Sequence, residues 1–164
     1  MTCHSILQWN CRGIKANFNE LHILLQQCNI SVLCLQETKL SPNCSLYLKH
    51  YSSYHIYSKT TSDDHPSGGV STFVHNSIPH SVIPLNTSLQ AQATLLTLGQ
   101  TITICNIFLA PNTNTDLIEI DNLVQQLPSP YILADFNAHH PMWGCSRQNI
   151  KGNLIQQLLL NFIL

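Results

Sequence analysis

Residues 5–38 read SILQWNCRGIKANFNELHILLQQCNISVLCLQET, and their patterning sets the fold class. The apolar run Ser5–Trp9 ends at Asn10 and a Cys-Arg-Gly turn. Phe18 to Gln27 then places apolar residues at 18, 21, 24 and 25, the spacing of one helix face, with Asn17 positioned as the N-cap. Ile30 to Leu35 is an unbroken apolar run of strand length that closes on Gln36-Glu37-Thr38. Strand, helix and strand in such close succession open an α/β layered fold.

Downstream, Tyr51–Ser58 alternates aromatic and polar residues, and Thr60–Gly69 reads as a polar loop. Val70–His75, Ser81–Leu85, Ala91–Leu98 and Thr101–Leu109 are short β-type runs separated by turn residues, which suggests hairpins in an antiparallel or mixed sheet. Asp116–Leu127 returns to helical spacing and is stopped by Pro128 and Pro130. Tyr131–Ala134 is another buried-type strand, and Ile150–Leu164 a final apolar helix. With no internal repeat and no linker, residues 1–164 read as one domain.

The chain is 44% hydrophobic and only 9% charged, where a typical soluble domain carries roughly 25% charged residues. Its net charge of −1 excludes a disordered tail and a basic nucleic-acid module recognisable by charge alone. The seven cysteines include no C-x-x-C pair, which speaks against a zinc ribbon, and several sit in apolar runs as small core residues with reduced thiols. No basic region precedes a long apolar stretch, and no run approaches the length of a membrane span. The expectation is an intracellular protein with no membrane partner.

Three of the expected strands end in groups suited to a hard cation: Asn10, Glu37, and Asp135-Phe136-Asn137. Carboxylates and amides converging on one rim suit Mg²⁺, which takes oxygen ligands and keeps several waters. Ordinary strand-end capping is the alternative that spacing leaves open.

Five blocks in order carry a resemblance: Gln8-Trp9-Asn10, Leu35-Gln36-Glu37-Thr38, Ser67-Gly68-Gly69-Val70, Asn106-Ile107-Phe108-Leu109-Ala110-Pro111-Asn112 and Ala134-Asp135-Phe136-Asn137. Together they resemble the endonuclease/exonuclease/phosphatase superfamily. The extension Ala138-His139-His140-Pro141-Met142-Trp143-Gly144 resembles the endonuclease domain of jockey-type non-LTR (LINE-like) retrotransposons. The resemblance implies a four-layered α/β sandwich, DNase I-like, whose Mg²⁺-dependent site (or Mn²⁺ in its place) nicks target duplex DNA. A reverse transcriptase domain would follow in the intact element, which would act in the nucleus. Glu37 would be the principal metal ligand with Asn10 beside it, and Asp135, Asn137 and Asn10 the catalytic set. Phe108, Asn112 and His139 would lie near the substrate phosphate.

The chain also departs from the family pattern. Phe108 stands where the family usually has a tyrosine, which removes a hydrogen-bond donor worth typically ~1.5–3 kcal/mol against a charged acceptor. Ala134 replaces a glycine. Family members continue with a further aspartate and a Ser-Asp-His block, which this sequence does not contain. The expectation is therefore a domain truncated at its C-terminus, of which these residues are the N-terminal two-thirds. Two alternatives follow: a catalytically inactive remnant, or another phosphodiesterase or phosphatase of the superfamily. Asp63-Asp64-His65 reads as a solvated loop, and Trp143 as either a DNA wedge or loop packing. Arg12, Lys15, Lys39 and Lys59 give only a sparse set of phosphate contacts.

Overall fold

All seven residues of β2 (Ile30–Gln36) are buried, because the strand is covered on both faces. In the computed structural model, which describes residues 4–44, 46–60 and 66–163, β2 lies inside a sheet with β1 (Ser5–Asn10), β6 (Val70–His75) and β3 (Tyr51–Ile56), in the order β1-β2-β6-β3. β1 runs parallel to β2, while β6 is antiparallel to both β2 and β3. A second sheet holds β7 (His80–Ile83), β8 (Gln90–Thr97), β9 (Thr101–Phe108) and β10 (Pro130–Asp135), in the order β10-β9-β8-β7. Only the β10–β9 pair in it is parallel.

Alternation along each strand builds the layers. Leu33 and Leu35 face outward to Leu21 of α1 (Phe18–Gln27), with Ile14 and Phe73 in the same cluster. Val32 and Cys34 face inward to Val74, Leu96 and Ile104 between the sheets. On the far side, Ala91, Ala93, Cys105 and Ile107 meet Ile120 and Leu123 of α2 (Leu117–Gln125) and Ile155 and Leu158 of α3 (Ile150–Ile163). Helix, sheet, sheet, helices is the four-layered α/β sandwich. Each fully buried aliphatic side chain in these layers contributes about 1.5–3 kcal/mol.

Two local expectations need correction. Asn17 does occupy the N-cap position of α1, but its side chain makes no capping bond. Its amide instead donates to the carbonyls of Cys11 and Gly13, at 2.6 and 3.3 Å, and so closes the turn after β1. The stretch Thr60–Gly69 is more than a loop, since its base is pinched by a short antiparallel ladder of β4 (Lys59–Thr60) and β5 (Pro66–Ser67). Asp63-Asp64-His65 lies outside the described residues. Among the described residues Cys11, Cys28, Cys34, Cys44, Cys105 and Cys145 are free thiols, and no helix is long and apolar enough to cross a membrane.

Candidate active site

Parallel pairing sends the C-terminal ends of β1 and β2 in one direction, and that of β10 reaches the same rim from the second sheet. The Gln8 side chain ties the sheets there, donating to the Ala134 carbonyl at 2.8 Å. Asn10, at the end of β1, donates through its amide nitrogen to Glu37 Oε1 at 3.0 Å and to Asp135 Oδ2. One amide thus sits between two carboxylates that are far apart in sequence and belong to different sheets. Its oxygen accepts the Arg12 N–H at 3.1 Å, which fixes the amide's orientation.

Glu37 is half-buried in left-handed backbone, at φ 51°, a conformation costing a non-glycine residue about 1 kcal/mol or more. Flanking main-chain bonds impose it: the Gly13 N–H donates to the Glu37 carbonyl at 2.7 Å, and the N–H groups of Thr38 and Lys39 donate to Gly69 and Gly68 at 3.1 and 2.9 Å. Those glycines hold φ of 87° and 77°, and a Cβ on Gly69 would lie 2.8 Å from the buried Thr38 hydroxyl. Gly69 in turn donates its N–H to the Gln90 side chain. The Ser67-Gly68-Gly69 turn therefore clamps the segment that carries Glu37.

Beneath Glu37, Gln36 is fully buried and donates to Asn106 Oδ1 at 2.7 Å. Asn106 spends its own amide on the carbonyls of Leu35 and Ser71 and on the Thr72 hydroxyl. These bonds lock the two sheets together one residue below the metal-ligand candidate.

Asp135 ends β10 and accepts the Asn137 N–H at 3.0 Å on the oxygen that Asn10 does not use. Asn137, at φ 49°, donates from its side chain to the Leu109 carbonyl at 3.0 Å. Asn10, Arg12, Glu37, Asp135, Asn137 and His139 line a cleft of about 860 Å³, with Trp143 on its wall. The Trp143 indole donates to the Ala138 carbonyl at 3.1 Å, and its ring lies 5.1 Å from that of His140, so part of the indole packs its own loop.

Two further residues lie elsewhere. Phe108 is 3% exposed and does not line the cleft. Asn112 lines a neighbouring polar pocket with Asn149 and Lys151. Lys151 is the residue that sequence reasoning passed over. It is 6% exposed and donates to the Ala110 and Pro111 carbonyls. Burial pushes its ammonium below the ordinary lysine range, and the Asp135 carboxylate pulls it back up. Its only signal in the sequence was a lone cation at the start of an apolar helix.

The donor set suits a hard cation. The Glu37 and Asp135 carboxylates and the Asn137 amide oxygen would hold such an ion, while Asn10 turns its nitrogen to both carboxylates and its oxygen to the Arg12 N–H. Among the described residues, no group of three or more His, Cys, Asp and Glu side chains is arranged to hold a metal ion.

The profile of the endonuclease/exonuclease/phosphatase family matches residues 7–162. The chain belongs to this family. Over 161 residues this family member is 30% identical to the RNA-directed DNA polymerase from mobile element jockey of Drosophila funebris, covering 93% of the chain but 17% of that relative's length. Its fold matches the endonuclease domain of TRAS1, a telomere-specific non-LTR retrotransposon, with a TM-score of 0.71 at 16% identity, over 97% of this chain and 70% of that one. The Xenopus laevis APE2 catalytic domain follows with a TM-score of 0.65 at 22% identity, over 96% of this chain and 67% of that one. At such identities these likenesses concern the fold, and they agree with the DNase I-like sandwich.

Proposed function

We propose that the cleft hydrolyses phosphodiester bonds of duplex DNA with Mg²⁺, or Mn²⁺ in its place, as the endonuclease part of a retrotransposon protein that also carries reverse transcriptase. The observation that carries this reading is the Asn10 amide shared by Glu37 and Asp135, which gathers two carboxylates from separate sheets at one point. A phosphodiester resists attack because its anionic oxygens repel the nucleophile, and a bound cation would offset that charge. Glu37 is the principal ligand, with Asn10 fixing its distance from Asp135. Asp135 accepts hydrogen bonds and orients the attacking water, while Asn137 and His139 face the phosphate. Arg12, exposed at the cleft mouth, meets the DNA backbone.

The chain covers 70% of the TRAS1 endonuclease structure, whose fold it shares. Its place of action would be the nucleus. A second reading is a fold retained without activity, in which Phe108 stands where the resemblance implies a hydrogen-bonding tyrosine. Nicking of supercoiled plasmid by the protein from its complete reading frame separates the two. The nuclease reading expects open circles with Mg²⁺, none with a chelator, and none from Glu37→Ala. Undiminished nicking by Glu37→Ala sinks the site assignment.

A further inference from the structure

The segment from Phe136 to His140 belongs to no helix or strand, yet it carries Asn137 and His139 into the cleft. Three of the hydrogen bonds that hold it come from one residue at the start of α3. Asn149 donates from its amide nitrogen to the Asn137 carbonyl at 2.9 Å. Its amide oxygen accepts the His139 N–H at 3.0 Å and the Gly152 N–H at 2.7 Å. Its own N–H donates to the His139 carbonyl at 3.0 Å. The Gly152 bond is an ordinary N-cap, since an amide oxygen satisfies a free donor of the first turn. The other three bonds do nothing for the helix and hold the loop.

The surroundings are built for this contact. A Cβ on Gly152 would lie 2.7 Å from the His139 carbonyl carbon, so only glycine lets the helix approach so closely. Lys151 ties the same helical turn to the Ala110 and Pro111 carbonyls, next to Leu109, whose carbonyl receives the Asn137 side chain. Helix start, catalytic loop and the loop after β9 form one closed set of bonds.

We propose that Asn149 is the positioning residue that holds Asn137 and His139 in reacting geometry. This rests on the cleft being a phosphodiesterase site. Asn149→Asp separates holding from capping. Aspartate keeps an oxygen for Gly152 and His139 and caps as well as asparagine, but it turns a second oxygen toward the Asn137 carbonyl. In the protein from its complete reading frame, Asn149→Asp keeps the KM for plasmid DNA and lowers the melting temperature less than Asn149→Ala does. Its kcat for nicking falls about 10–100-fold. Amide hydrogen exchange at His139, which needs no cleavage, quickens in Asn149→Ala and stays slow in Asn149→Asp. Wild-type kcat in Asn149→Asp, or slow His139 exchange in Asn149→Ala, overturns the proposal. A wild-type protein that fails to nick DNA refutes the nuclease reading, and the exchange result alone then decides whether Asn149 holds the loop.

Discussion

Asn106→Leu removes the one partner of a fully buried amide, so its cost is set by what it leaves behind. Gln36 is 0% exposed, and among the described residues its Oε1 has no hydrogen-bond partner. Without Asn106 its nitrogen is orphaned too, and an unmade bond plus a stranded buried donor costs about 3 kcal/mol. The reverse change, Gln36→Leu, strands only the Asn106 oxygen, because the nitrogen keeps Leu35, Ser71 and Thr72. That costs about 2 kcal/mol. In the double variant neither amide is left to be stranded, so the loss falls short of the sum of the two single losses by about 2 kcal/mol or more. Urea unfolding followed by far-ultraviolet circular dichroism, at matched slopes, reads all four corners of the cycle. Losses that add to within about 0.5 kcal/mol would refute a direct amide–amide bond between the sheets.

The other two predictions concern the core thiols and the closest backbone approach. Burial pushes the Cys11 thiol up to about 11 and those of Cys34 and Cys105 up to about 12, from 9.0. An unfolded chain loses these protons first, so their stabilisation is complete below about pH 9 and falls as pH rises toward their folded values. Melting temperature should decline from about pH 9 upward, and a Cys34→Ala/Cys105→Ala variant should show a flatter decline. A thiol reagent at neutral pH should label exposed Cys28 at once and these three only on unfolding. Gly152→Ala, which in an exposed helix would gain about 1 kcal/mol, should instead lose about 2 kcal/mol, since the new methyl meets the His139 carbonyl. Calorimetry showing a raised melting temperature would contradict that contact.

The opening strand–helix–strand was legible because the period of its apolar residues changes from helix to strand within 34 residues, and each period implies one buried face. The strand ends at Asn10, Glu37 and Asp135 were legible for the same reason. Their meeting was not, because the bonds joining Asn10 to Glu37 and Asp135 span 27 and 125 residues and leave no local trace. Asn17 shows the limit at short range. Residue type and position both indicate a cap, yet two nearby carbonyls take the amide. Asn149 could have been read as a cap before an apolar helix, but nothing in the sequence says that its other atoms reach the loop after Asp135. Only the family pattern puts Phe108 and Asn112 near the phosphate. The structure buries the first and puts the second in an adjoining pocket.

The most direct measurement is plasmid nicking with the two carboxylates removed separately. Purified protein from the complete reading frame is incubated with supercoiled DNA and Mg²⁺, beside Glu37→Ala and Asp135→Asn. A single metal-dependent centre built from both sheets predicts open circles from the wild type and a loss of about 10²-fold or more in either variant. Wild-type rates from either variant would contradict it.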